Sequence, residues 1–334
     1  MSKRARRRRA LIRLMQRIFI LLCLTLIVLI GVRFLRKDAH RAADFENKIY
    51  NTSYHKEDLF ASSICIVNST ESKDISNVSD LKAYGLFNLN DNETYYTYQI
   101  HDKIYPASTT KILTALVALE NGSLDDVVNI SKNACSTSFA WDEQTCGIKE
   151  GDTLTLEDLL YGLLLYSGND TAVAIAEHIG GSIEEFAEMM NQKARELLAT
   201  NSHFTNPSGL YDDNHYTTAY DLYLIFNECI KHEEFVKIIS ANEYTAKIIR
   251  SDSSQATLKW EPTNYYALGN AKAPENVSII GGKTGTLKVA GNCLILMAKD
   301  SFEHPYISIV MGADSKDYLY KDMTTLLAEI PKNK

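Results

Sequence analysis

The stretch PASTTKILTALVALENG, residues 106–122, opens on a proline, small residues and hydroxyls and then reads as a helix ending at Gly122. It is apolar almost throughout, yet it sets Ser108 and Lys111 on its first turn. Two explanations compete. Ser108 can cap the helix, its oxygen accepting a free first-turn amide, but a lysine at the positive end of the helix dipole is mildly unfavourable. Positions three apart share a helix face, so the Lys111 amine reaches the Ser108 hydroxyl, as in a serine activated by an adjacent base. The spacing has little specificity alone, since Ser53-Tyr54-His55-Lys56 repeats it in a polar segment.

Outward from this helix the chain reads as α+β. AYGLFNL (83–89), NDNET (90–94) and YYTYQI (95–100) predict a β-hairpin. TLEDLLYGLLLY (155–166), DTAVAIAEHIGG (170–181) and SIEEFAEMMNQKARELLAT (182–200) predict three helices, with Ser182 and Glu185 as a capping box on the last. The carboxyl third turns β-rich in VSIIGGKTG (277–285), GNCLILMAKD (291–300) and HPYISIVMGAD (304–314), and KDYLYKDMTTLLAEI (316–330) closes it as an amphipathic helix. Strands at both ends with helices between them predict one antiparallel sheet built from distant segments, plus a helical lobe.

Two further stretches carry polar groups where apolar ones are expected. YSGNDT (166–171) breaks two apolar helices; either Ser167 and Asn169 there supply contacts in a cleft, or Asn169 or Asp170 merely caps the following helix. GGKTGT (281–286) lies on a strand, where its glycines are costly unless something approaches the backbone. A plain glycine-rich turn is one explanation. The other is a substrate laid beside the strand, with Lys283 and Thr284 facing an anion and the Thr286 amide facing an oxyanion.

Serine-x-x-lysine, a serine/asparagine loop and lysine-threonine-glycine, in that order, form the set used by penicillin-binding proteins and class A β-lactamases. YPASTTKILTALVALENG, LEDLLYGLLLYSGNDTAVAIAEHIGG, FTNPSGLYDDNHYTTAYDL and IIGGKTGT resemble the low-molecular-mass penicillin-binding proteins, serine D-alanyl-D-alanine carboxypeptidases of peptidase family S11. The likeness covers about residues 82–330. It implies the β-lactamase/penicillin-binding-protein-like fold, with the serine site where sheet and helical lobe meet. It also implies that Ser108 is the nucleophile, Lys111 its base, and Ser167 a proton shuttle beside Asn169. Lys283 and Thr284 would bind the terminal carboxylate on the Lys283-Thr284-Gly285 strand, and the amides of Ser108 and Thr286 would form the oxyanion hole. His215 matches an architectural segment. No cofactor or metal is implied. The partners implied are peptidoglycan stem peptides ending in D-Ala-D-Ala, with β-lactams as covalent inhibitors. Endopeptidases and β-lactamases share the constellation, and a non-catalytic wall-binding homologue is a third class. A β-lactamase would need a glutamate-activated water, for which ELLATN, from Glu196 to Asn201, is the nearest stretch.

Residues 1–37 hold eleven of the 35 Lys and Arg and no acid, leaving 24 basic against 42 acidic residues, a remainder that should repel nucleic acid. The basic head precedes an uncharged run from Ile18 to Val32. With Phe34 and Leu35 extending it and Arg17 and Arg33 snorkelling, the run approaches the roughly 20 residues that span a bilayer. The expected order is a cytoplasmic tail (1–17), an uncleaved transmembrane anchor (18–36), a polar extracytoplasmic stem (37–81) and a catalytic domain (82–334). The competing expectation is a cleaved signal peptide, although RKDAHRAADF shows no small-x-small cleavage site. The chain ends at Lys334, without the extra β-rich domain and carboxyl-terminal anchor of many relatives, so the amino-terminal helix is expected to do the anchoring. ACSTSFAWDEQTCG (134–147) departs from the family's wording, and its Cys135 and Cys146 either close that loop as a disulfide or remain unpaired, while the other cysteines read as small buried hydrophobes.

Overall fold

The computed structural model describes residues 64–66, 75, 78 and 81–332. In chain order the elements are β1 Ala83–Asn88, β2 Glu93–Tyr98, a 3-10 turn Ala107–Thr110, α1 Lys111–Asn121, β3 Val127–Asn129 and β4 Thr153–Thr155. Then come α2 Leu156–Tyr161, a π-helical turn Gly162–Tyr166, α3 Asn169–Gly180, α4 Ile183–Glu196, α5 Ala219–Cys229 and α6 Glu233–Ile239. The chain closes through β5 Tyr244–Ile249, β6 Gln255–Trp260, β7 Val277–Leu287, β8 Gly291–Asp300, β9 Pro305–Ala313 and α7 Lys316–Leu327.

The expected sheet from both chain ends is present, antiparallel, in the order β2-β1-β9-β8-β7. Strand β1 lies inside it, with Ala83 opposite Met311 and Asn88 opposite Tyr306. All six residues of β1 are buried because both sheet faces are covered. Ala83 and Phe87 join Ile295, Ile307 and Ile309 against the helical lobe. Tyr84 and Leu86 join Leu294, Leu296 and Val310 beneath Leu319, Met323 and Leu327 of α7. A second sheet, β3-β4-β5-β6, was not expected from the sequence. Two of its strands are only three residues long, too short to show a period.

Helix starts follow local hydrogen bonding. Thr155 and Asp158 make a reciprocal capping box on α2, and Ser182, Thr218 and Ser315 each accept a first-turn amide on α4, α5 and α7. The segment expected as α2 and its continuation is not one regular helix, because Gly162–Tyr166 widens to π geometry.

Part of the expected stem belongs to the folded body. Cys65 is fully buried, its N–H donates to the Tyr223 hydroxyl at 2.7 Å, and its carbonyl accepts from Tyr220 at 3.0 Å. The Ile75 N–H donates to the Tyr84 hydroxyl at 2.9 Å. The expected tail and anchor lie outside the described residues, among which no helix is long and apolar enough to cross a membrane. Cys135 and Cys146 do not form a disulfide: both are free and buried. The Cys135 thiol pairs with the Thr137 hydroxyl at 3.1 Å, and that of Cys146 donates to the Gly162 carbonyl at 3.4 Å.

His215 ties the helical lobe to the turn before α1. Its Nδ1 accepts the Thr205 amide proton at 3.1 Å, so in the neutral ring Nε2 carries the hydrogen and donates it to Thr110 Oγ1 at 2.9 Å. Burial lowers its pKa from 6.5 to about 4, with Asp212 opposing and His203 adding to the shift. A histidine kept neutral by folding contributes fully above its unfolded pKa and loses that contribution as pH falls toward its folded one. Wild-type unfolding free energy should therefore drop between pH 6.5 and about 4, by about 3 kcal/mol from this residue. Denaturant titrations of His215→Gln should show that much less pH dependence across the window, and an unchanged slope would remove His215 from the acid sensitivity.

Candidate active site

Ser108 sits in the 3-10 turn after Ala107, whose φ of 50° lies in the left-handed region. The serine caps nothing: α1 has no side-chain cap, and Lys111 is its first residue. The Lys111 side chain is buried, with Nζ 3.0 Å from Ser108 Oγ, 2.7 Å from Asn169 Oδ1 and 2.9 Å from the Ser208 carbonyl oxygen. Asn169 Oδ1 and the Ser208 carbonyl can only accept. A neutral amine satisfies both with its two N–H groups and keeps its lone pair for the Ser108 hydroxyl proton. Burial lowers the Lys111 pKa from 10.5 to about 7, while Cys146, Asp170 and Glu143 pull the other way. Burial carries the shift, and the repulsion between the two lysines is felt at Lys283.

Ser167 closes the π-helical turn with φ 70° and ψ 33°. A left-handed serine costs roughly 1–2 kcal/mol, and π turns recur at functional sites. Lys283, also buried, donates to Ser167 Oγ at 2.8 Å and to the Thr284 carbonyl at 2.9 Å. Its pKa lies well below the ordinary lysine value, first through burial and then through Lys111. Neither Asn169 nor Asp170 caps α3. The Asp170 carboxylate accepts the amides of Cys146, Gly147 and Ile148 at 2.8, 3.1 and 3.4 Å, and the Asn169 N–H donates to the Gln144 carbonyl at 2.8 Å. The loop at the cleft rim is thereby bonded to the helix that carries Asn169.

Strand β7 presses on the Ser108 turn. A Cβ at Gly285 would stand 3.1 Å from the Pro106 carbonyl oxygen and from the Ser108 and Thr109 nitrogens, so glycine permits this approach. Ser108, Ser167, Asn169, Thr284, Gly285 and Thr286 all line one cleft of about 780 Å³, with Lys111 and Lys283 buried behind them. Every site residue expected from the sequence is thus drawn to one place.

Others were missed. The Ser208 carbonyl comes from a turn in which Asn206 Oδ1 accepts the amides of Ser208, Gly209 and Leu210 at 3.2, 2.8 and 3.2 Å. Gly209 has φ 82°, and a Cβ there would be 1.9 Å from the Ala107 carbonyl oxygen. The Asn-Pro and Ser-Gly dipeptides signal a turn, but nothing in them announces a lysine acceptor. Thr263 also lines the cleft, as do Asp142, Glu143, Gln144, Lys288 and Lys316.

Residues 69–315 match the family model for peptidase S11, D-alanyl-D-alanine carboxypeptidase. The D-alanyl-D-alanine carboxypeptidase DacF of Bacillus subtilis is 31% identical over 242 residues, 70% of this chain and 57% of that protein. DacB2 of Mycobacterium tuberculosis is 40% identical over 210 residues, 62% of this chain and 66% of that protein. The chain thus spans little more than half the length of DacF and, at 51%, about half of Haemophilus influenzae DacA. Among solved structures, the Streptomyces K15 DD-transpeptidase superposes with a TM-score of 0.69 at 28% identity, covering 77% of this chain and 98% of that one. The fold is of the penicillin-binding-protein type, and with a family match across most of its length the chain belongs to peptidase family S11, the D-alanyl-D-alanine carboxypeptidases.

Proposed function

We propose that the protein is a membrane-anchored serine D-alanyl-D-alanine carboxypeptidase that removes the terminal D-alanine from peptidoglycan stem peptides through an acyl-enzyme, and that β-lactams acylate it. The observation that carries the reading is the buried Lys111 amine, 3.0 Å from Ser108 Oγ with a pKa near 7. A lysine tuned toward neutral pH is a competent general base.

In this mechanism Lys111 takes the Ser108 proton as Oγ attacks the carbonyl carbon of the penultimate D-alanine. The amides of Ser108 and Thr286 receive the developing oxyanion. The C–N bond then breaks as Ser167, held by Lys283, gives its hydroxyl proton to the departing D-alanine amine and takes up the proton that Lys111 received from Ser108, which leaves the Lys111 amine neutral again. Lys111 then deprotonates the water that attacks the ester carbonyl and returns that proton to Ser108 Oγ as the C–O bond breaks. Thr284 faces the substrate's terminal carboxylate, with Lys283 behind it. Its relatives are D-alanyl-D-alanine carboxypeptidases, which supports this substrate class, and so does the closeness of β7 to the Ser108 turn: a peptide laid along β7 brings its carbonyl to the serine.

A β-lactamase role has no matching support, because Glu196 is exposed, is bonded to Lys193 and Gln192, and lies outside the cleft lining. The acidic balance beyond residue 37 supports a partner other than nucleic acid. Anchoring rests on the Ile18–Val32 run and its basic flank, with the amino terminus cytoplasmic and the catalytic domain outside.

Three outcomes are expected. Lys111→Arg should fold with a near-native thermal midpoint yet lose at least about a hundredfold in fluorescent-penicillin acylation, because arginine stays protonated; near-native labelling would exclude Lys111 as the base. In the wild type, the acylation rate should rise with pH through about 7 and level off above it, as the neutral fraction of Lys111 saturates; a rate flat from pH 5.5 to 9 would contradict this. The full chain should stay in the membrane fraction through an alkaline wash, while deletion of residues 1–37 should release soluble, penicillin-labelled protein. A mature amino terminus mapped between Ala39 and Asp44 would show cleavage instead. Mass spectrometry on stem pentapeptide and cross-linked dimer would separate carboxypeptidase from endopeptidase action.

A further inference from the structure

Thr263 stands where three parts of the cleft meet. It lies just beyond β6, its N–H donates to the Leu165 carbonyl at 3.2 Å, and its hydroxyl is 2.6 Å from that of Thr284. Leu165 belongs to the π turn that delivers Ser167, and Thr284 belongs to β7. The segment is fixed on its far side too: Asn264 is buried, and the Tyr265 N–H donates to the Tyr320 hydroxyl at 2.9 Å.

Two threonine hydroxyls carry two protons, and their mutual bond uses one. The other is free to point from the pair into the cleft that both residues line. A hydroxyl that accepts one bond while donating another is the stronger donor, because hydrogen bonds in a chain polarise each other. Threonine is also stiff about χ1, so a bond to its hydroxyl selects the rotamer in which that proton is offered.

We infer that Thr263 is a positioning residue for the anionic end of the substrate: its hydroxyl fixes the Thr284 side chain and aims the pair's free proton at the terminal carboxylate. Its backbone bond to Leu165 meanwhile holds the Ser167 turn at a set distance from β7. The inference rests on the proposed function, in which Thr284 faces that carboxylate, and adds a residue outside the three sequence motifs.

The test compares wild type with Thr263→Val, Thr263→Ser, Thr284→Val and the Thr263→Val/Thr284→Val double variant. Each is measured for kcat and KM on an acyl-D-Ala-D-Ala peptide, for inhibition by the carboxamide analogue of that peptide, and for thermal midpoint. Valine keeps the backbone bond and the shape of threonine. Thr263→Val should raise KM for the acid peptide by about tenfold, the loss of one well-aimed bond to a charged group, with a much smaller change in kcat. Binding of the carboxamide should not change, Thr263→Ser should restore KM, and the double variant should be no worse than Thr284→Val. Equal losses on acid and carboxamide, additive effects in the double variant, or failure of serine to rescue would overturn the role. If Thr284→Val itself leaves the preference for the carboxylate intact, the assignment of Thr284 fails and this inference with it. If only the Thr263 variants are silent, the assignment of Thr284 survives and the inference alone is wrong.

Discussion

The Nζ of Lys111 is the point on which the rest of the site depends. An amine without a carboxylate partner has been taken out of water, and lowering its pKa from 10.5 to about 7 corresponds to about 5 kcal/mol against the charged form. What makes the burial tolerable is a complete set of hydrogen-bond partners: the hydroxyl of the serine three residues before it and, from distant parts of the chain, the amide oxygen that opens α3 and a main-chain carbonyl from the turn at Ser208. Loss of either acceptor leaves a buried donor unpaired, which generally costs more than the bond itself contributes. The surrounding architecture is best understood as the means of keeping those three partners in register.

The backbone around this amine is held in conformations that are unfavourable in isolation. Ala107 and Ser167 take positive φ without being glycine, and Gly209 packs so close to Ala107 that no side chain fits between them. Such strain persists only where neighbouring bonds over-determine it. Here they do. Asn206 clasps three successive amides, His215 holds Thr110, and Asp170 gathers the amides of the rim loop. The rigidity that holds the Lys111 amine beside the Ser108 hydroxyl is built from neutral groups and one largely desolvated carboxylate rather than from ion pairs at the cleft.

What the sequence made legible follows from what leaves a period or a residue type behind. The hairpin at 83–100, the apolar helices and the three carboxyl-terminal strands carry strong patterns, and Ser108, Lys111, Ser167, Asn169 and Lys283 are recognisable because hydroxyls and amines are conspicuous among apolar residues. Three-residue strands leave no pattern, so β3 and β4 of the second sheet were invisible. A π turn uses the same residues as an α-helix, so the widening at Gly162–Tyr166 was read as continuous helix. Ser208 acts through its carbonyl, which every residue possesses. Cys65 looked like part of a stem because its partners, Tyr220 and Tyr223, lie more than 150 residues away. The two cysteines of the rim loop are close in sequence, yet each thiol is committed to an oxygen, that of Cys135 to Thr137 within the loop and that of Cys146 to Gly162 beyond it. Only tertiary structure decides among such options.

The pairing of β1 with β9 has a consequence for the order in which the protein comes into being. The sheet's interior joins Ala83 to Met311, so strand closure must wait until nearly the whole sequence has been made. Contacts of such long range are slow to form, because a large loop has to be closed first. Ser108 is synthesised early, but β7, which lies against it and carries Lys283, arrives some 170 residues later and joins the sheet through β8. A nascent chain therefore carries Ser108 and Lys111 well before Lys283 and the cleft wall that β7 supplies. The cleft is assembled only with the last strands, and an incomplete chain does not possess it.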